Sequence, residues 1–201
     1  LDRAATLDTA LSTLESRLKD VDTWLVADPT WIENPKVGDV HIRFEINEPG
    51  QDIPNLLRAV ETIGGFEVQS VGRALEIVKD IGDAREVAER HGLYHFSGSH
   101  GLGHDRMATE SEVKAAFGHP FWARPFPDVS IVHNGQLTNY FTWRRRLERE
   151  GYTFSTENDS ELIAVYIARQ LEQGVELSAA LHRSVDELDG VFTYLIATLD
   201  Q

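Results

Sequence analysis

Val129-Ser130-Ile131-Val132-His133-Asn134-Gly135-Gln136-Leu137-Thr138-Asn139 is the most informative stretch of this chain. Its first half is apolar and β-branched, which reads as a strand over Val129–His133. The Asn134-Gly135 pair then supplies residues that tolerate positive φ, so a tight turn is expected there, followed by a helix through Arg149. The pair also permits a chemical reading. A side-chain amide on Asn134 and the backbone N–H of Gly135, aimed at one point, would form an oxyanion hole for acyl transfer.

C-terminal to this stretch, a loop over 154–158 leads into a long helix expected from Asp159 to Gln173. A helix over Ser178–Leu188 and a strand over Gly190–Thr198 follow. Asp159 or a neighbour is expected to cap the long helix, with Glu161 favoured by the helix dipole. An aspartate at a helix start can equally hold a ligand ammonium group. N-terminal to the opening stretch, residues 96–111 (FSGSHGLGHDRMATES) are rich in glycine and small polar residues around one arginine, Arg106. Arginine grips a carboxylate through two parallel hydrogen bonds. Arg106 and Asp159 would therefore read the two charged ends of an amino acid.

The first part of the chain has a different texture. Leu7, Leu11, Leu14 and Leu18 mark one amphipathic helix. Turns are expected around Pro29, Asn34 and Pro35, then a strand over Val40–Ile46 and a helix over Ile53–Ile63 stopped by Gly64-Gly65. A strand over Phe66–Val71 and helices over Ala74–Lys79 and Asp83–Arg90 complete an α+β module in which nothing is catalytic. The expected division is a variable module over 1–94 and a site-bearing portion over 95–201.

With 41% hydrophobic and 26% charged residues the composition is that of a globular protein, and no apolar run is long enough to span a bilayer. A formal charge of -14 sets nucleic acid aside as a partner. The basic run Arg144, Arg145, Arg146 and Arg149 has acidic neighbours and reads as a solvated helix face. The 201 residues include no cysteine, which removes disulfides, thiolate metal sites and a cysteine nucleophile from this polypeptide. Residues 1–14 do not read as a secretory signal, and cytoplasm is the expected compartment. His91, His95, His100 and His104 raise the question of zinc, but intervening glycines scramble their periodicity, and loop and core-facing histidines are the expectation. No metal and no cofactor is expected on this chain.

Three segments in order carry a resemblance: Gly103 to Thr109 (GHDRMAT), Val132 to Tyr140 (VHNGQLTNY) and Glu157 to Glu161 (ENDSE). His119-Pro120-Phe121 lies between the first two, and Leu188-Asp189-Gly190-Val191-Phe192 follows the third. Together they resemble the class II glutamine amidotransferases, the family with an N-terminal-nucleophile fold, over about half the chain. Within it the wording is most similar to the glutaminase subunit of glutamate-synthase-like enzymes, including N-methylglutamate synthase.

The resemblance implies an α+β fold, an incomplete four-layer αββα sandwich with the 1–94 module as an insertion. It implies that Arg106 and Thr109 hold the glutamine α-carboxylate, Asp159 its α-ammonium, and Asn134 with Gly135 the tetrahedral oxyanion. Glu110, Asn139 and Ser160 adjoin these motifs without an assigned role. In the family a cysteine at the mature N terminus attacks the side-chain amide and releases ammonia to a synthase partner. Any flavin or iron-sulfur centre would belong to that partner. The cysteine and the segment that ordinarily follows it are missing here, so the expectation is a glutamine-reading fragment that is inactive alone. The alternative is a non-catalytic domain that binds glutamine or acts as a scaffold.

Overall fold

The computed structural model describes residues 3–47, 52–105 and 114–199, which form two compact units, Leu1–Val68 and Gln69–Gln201. In the first, α1 (Arg3–Lys19) packs on α2 (Ile53–Glu61). Leu14 and Leu18 of α1 are fully buried, and α2 contributes Ile53, Leu56, Leu57 and Val60. The Asp52 carboxylate caps α2 by accepting from the Asn55 N–H at 3.1 Å, and Pro54 sits in the first turn, where no N–H is needed.

Strands β1 (Thr30–Asn34) and β2 (Asp39–Arg43) pair as an antiparallel hairpin, from Thr30 opposite Arg43 to Asn34 opposite Asp39. The turn residues Pro29 and Pro35 bracket β1, a strand that turn signals alone conceal. Asn34 ends it, its buried side chain accepting from the Lys36 N–H. The strand expected over Val40–Ile46 is shorter, with only an isolated bridge from Ile46 to Leu25 beyond it.

The second unit begins with a correction. Residues 66–71 form no strand and 74–79 no helix. The carboxylate of Asp128 accepts from the backbone N–H groups of Arg73, Ala74 and Leu75 at 2.8–3.0 Å, and Ser70 Oγ accepts from Ile77 N–H. Side-chain acceptors thereby take donors that a ladder or helix would have used. These bonds tie the segment to the C-terminal unit, and the compact units divide at residue 68. Helix α3 (Ala84–Arg90) follows, capped by Asp83.

The centre of this unit is a three-stranded antiparallel sheet in the order β3-β4-β5: Phe121–Trp122, Val129–Leu137 and Gly190–Thr198. Register runs from Val129 opposite Thr198 to Leu137 opposite Gly190. Helices α4 (Tyr140–Arg149), α5 (Asp159–Glu172) and α6 (Leu177–Glu187) connect β4 to β5. α5 packs against β3, β4, α4 and α6, and every residue from Leu162 to Ala168 is fully buried. A helix apolar on all sides must lie inside, and this one is the core element. Trp143 of α4 meets Tyr166 of α5 edge to face at 4.9 Å. The α+β class is as expected. Among the described residues this unit holds one small sheet.

Candidate functional site

The Asn134-Gly135 pair does not form a turn. β4 runs through it, with Asn134 opposite Thr193 and Gly135 opposite Phe192 in the ladder. Turn propensity loses to nine consecutive cross-strand pairings, and the glycine is used differently. Gly135 has φ +136°, and a Cβ there would lie 2.3 Å from Val191 O and 2.5 Å from Phe192 Cα. Only glycine lets β5 approach this backbone so closely. Asn134 is exposed and its neighbour His133 is buried: β4 is buried from Val129 to His133 and exposed over Asn134–Gln136.

At the end of β4, the Leu137 N–H donates to Asp159 Oδ2 at 3.0 Å. Asp159 is not the cap of α5. Asn158 takes that part, its Oδ1 accepting from the Ser160 N–H at 2.9 Å, and the Asp159 carboxylate is left to face β4 with about a fifth of its side-chain surface exposed. The loop leading into α5 is fixed from within. The buried Glu161 carboxylate accepts four hydrogen bonds at 2.7 Å, from the N–H and hydroxyl of both Ser155 and Thr156. Arg144 donates to Thr156 O at 2.6 Å and to the Tyr140 hydroxyl, bracing the same loop from α4. Arg144 and Arg146 also meet Glu148 and Glu150, so these two side chains of the basic run are engaged on their own helix.

Under the sheet lies a polar chain that the motifs alone did not reveal. Ser160 Oγ is 2.8 Å from His133 Nδ1 and 2.9 Å from His119 Nε2, and His119 packs against His104 with ring centroids 4.1 Å apart and the planes tilted by 34°. His133 Nδ1 is also 3.6 Å from Asp159 Oδ1. Burial pushes the His133 pKa below its ordinary value and His104 adds to that, while the Asp159 charge opposes both. The readable signal was that three separate motifs each carry one member of the chain: His-Pro, His-Asn-Gly and Asn-Asp-Ser-Glu.

Asp159 thus meets β4 at Leu137 and His133, on the strand that also carries Asn134 and Gly135. Arg106, Thr109 and Glu110 lie outside the described residues. The four closely spaced histidines separate into different settings. His91 Nε2 is 2.9 Å from an Asp80 oxygen that also accepts from Arg90, His95 and His100 are exposed, and His104 joins the chain just described.

Comparison with known proteins adds independent findings. Residues 104–201 match the family model of a glutamine amidotransferase domain. Over 143 residues the chain is 40% identical to the "Putative glutamine amidotransferase" of Methanothermobacter thermautotrophicus, covering 71% of this chain and 47% of that protein. It is 41% identical over 147 residues to the glutamine amidotransferase-like protein GlxB of Rhizobium meliloti, covering 73% and 48%. A third relative, the isomerizing glutamine–fructose-6-phosphate aminotransferase of Mesorhizobium japonicum, is 36% identical over 101 residues, half of this chain and 16% of that one. The chain spans about half the length of the first two relatives. Among solved structures, an allosteric regulatory enzyme of purine biosynthesis shares 28% identity at a TM-score of 0.34, over 39% of this chain and 16% of that one. A likeness at that score bears no weight for the layering.

Proposed function

We propose that this chain, which carries a class II glutamine amidotransferase domain over residues 104–201, serves as the glutaminase part of a glutamate-synthase-like assembly, with L-glutamine as ligand and ammonia passed to a synthase partner. The observation that carries the reading is the placement of Asp159 beside the Asn134-Gly135 strand by the Leu137 N–H. Asp159 is available for the substrate α-ammonium because Asn158 does the capping. Arg106 and Thr109, close in sequence to the family-matched His104, take the α-carboxylate. Residues 1–94 are an insertion within the complete four-layer αββα fold.

In this reading a cysteine thiolate attacks the glutamine Cδ. The carbonyl electrons move onto oxygen, where the Asn134 amide and Gly135 N–H hold the oxyanion, and the C–N bond then breaks as the nitrogen leaves, protonated, as ammonia. Water hydrolyses the resulting thioester to glutamate. None of the 201 residues is cysteine, so the nucleophile lies outside them and the chain alone binds without turnover. The same composition favours a second reading, a ligand-binding or scaffolding domain with no catalytic role.

Calorimetric titration with L-glutamine, run beside an ammonia-release assay, tests the proposal. Binding by the native chain that is lost in Arg106→Ala and in Asp159→Ala, with no ammonia released, is the expected result. A folded native chain that does not bind glutamine overturns it in favour of the scaffold.

A further inference from the structure

The chain of His133, Ser160 and His119 joins the strand bearing Asn134 to the helix bearing Asp159. Ser160 has one hydroxyl proton and two imidazole neighbours. It donates to one and accepts from the other. His133 Nδ1 lies 2.8 Å from Ser160 Oγ and 3.6 Å from the Asp159 carboxylate, so a proton on Nδ1 is donated to Ser160 with the Asp159 charge close by to favour it. Ser160 then donates to His119 Nε2, which fixes the second ring as well. His133 Nε2 is buried and has no hydrogen-bond partner among the described residues. Nothing described there would welcome a second proton, and burial disfavours the charged ring.

We propose that His133 is a positioning residue for the Asp159 ligand site, which it leaves anionic while neutral and neutralises when protonated, so that binding of the amino acid's ammonium group displaces a proton from His133. The inference rests on the assignment of Asp159 to the ammonium group. Its logic is charge arithmetic at one carboxylate. With His133 neutral the pair carries -1 and attracts a cation; with His133 protonated the pair sums to zero and the attraction falls. By linkage, a ligand cation placed on Asp159 must in turn disfavour the protonated ring.

The titratable groups facing His133 are Asp159 on α5, His104 on the preceding loop and, through Ser160, His119. From β5 the neighbour is Phe192, with ring centroids 6.1 Å apart, and it carries no charge. Glu161, on the same helix as Asp159, is committed to Ser155 and Thr156. Protonation of His104 or His119 would add positive charge beside His133 and work against its protonation, so it cannot mimic the proposed effect by charging His133. The ligand carboxylate and ammonium groups and free aspartates titrate outside pH 5–8. A change within that window therefore reports on histidine.

The test is calorimetric titration of the chain with L-glutamine from pH 8 to pH 5, in buffers of different ionisation enthalpy. Native protein and His133→Asn are compared, because an asparagine amide can keep the donor toward Ser160 without titrating. The expected result is a dissociation constant flat near pH 8 that rises by up to about tenfold per pH unit below the His133 pKa. Protons released on binding should accompany that rise, and both effects should vanish in His133→Asn. Proton release is read in the native protein alone, so the proposal stays testable if the variant does not fold. Glutamine binding that is independent of pH down to 5 refutes it, as does a pH dependence that survives in His133→Asn. If the native chain binds no glutamine at any pH, the assignment of the site fails, and this inference fails with it.

Discussion

Gly135→Ala should damage the β4–β5 ladder far more than the loss of one glycine ordinarily would. Two costs combine. At φ +136° an alanine is strained by about 1–3 kcal/mol. Its Cβ would also lie 2.3 Å from Val191 O, 2.5 Å from Phe192 Cα and 2.7 Å from Phe192 Cβ, two of them backbone atoms that a rotamer change cannot move. Forcing the strands apart adds about 1–3 kcal/mol, by analogy with overpacked cores. The sum, about 2–6 kcal/mol, is comparable with the whole stability of a small domain, about 5–15 kcal/mol. Gly151→Ala is the control. Gly151 has φ +97° with nothing within 4 Å of the added carbon, so it bears the strain of about 1–3 kcal/mol without the clash. Hydrogen exchange of the β4 and β5 amides in increasing urea reads the C-terminal unit directly. Equal effects of the two substitutions would refute the close-approach argument and leave only φ to explain the glycine.

Three further outcomes follow from the same geometry. Asp159→Asn keeps an acceptor for the Leu137 N–H but removes the charge, so the glutamine dissociation constant should rise about ten- to a hundredfold with little loss of stability, measured by calorimetry and urea unfolding together. Unchanged affinity would remove Asp159 from the site. Glu161→Gln places an NH₂ where two of four donors now point; it should cost at least about 2 kcal/mol in urea unfolding and increase exchange at Ser155 and Thr156, and a neutral result would mean the loop is held by other contacts. The hydrogen bond from Arg169 holds the Glu150 pKa below its ordinary value, assisted by Arg146. A lowered folded-state pKa gives stability that is present above the unfolded value and lost as pH falls through the folded one. With Glu150 about a third exposed, Glu150→Gln should cost no more than about 1 kcal/mol at pH 7. That cost should fade toward pH 3, and a larger loss at pH 3 than at pH 7 would contradict the sign.

Local pattern was a good guide wherever burial and propensity agree. The leucine spacing of α1, the apolar run of α5 bounded by Asn158, and the alternate residues Phe192, Tyr194 and Ile196 of β5 each report a contact that the element makes wherever it is placed. Pattern misled where one side chain overrides it. Ala74 to Lys79 has the composition of a helix, but its first two amide donors, with that of Arg73 just before them, belong to Asp128, more than fifty residues away in sequence. Asn134-Gly135 has the composition of a turn, but the pairing partner that keeps it straight is β5, which the chain reaches only after three helices.

The candidate site divides in the same way. Asn134, Gly135 and Asp159 were visible as residue types in two of the three ordered motifs, because amide, glycine and carboxylate each suit one part of an acyl-transfer site on an amino acid. Sequence also established the lack of cysteine, the negative charge and the α+β class. Their arrangement needed the folded chain. That Asn158 rather than Asp159 caps α5, that the Asp159 carboxylate turns to Leu137 and His133, and that Ser160 joins His119 to His133 are all contacts across 22 to 41 residues of sequence or choices between adjacent acceptors. Composition and periodicity record what a residue can do. The partner each polar group finds depends on which elements the buried α5 draws together, because hydrogen bonds and charge interactions act over a few ångströms of space whatever the distance along the chain.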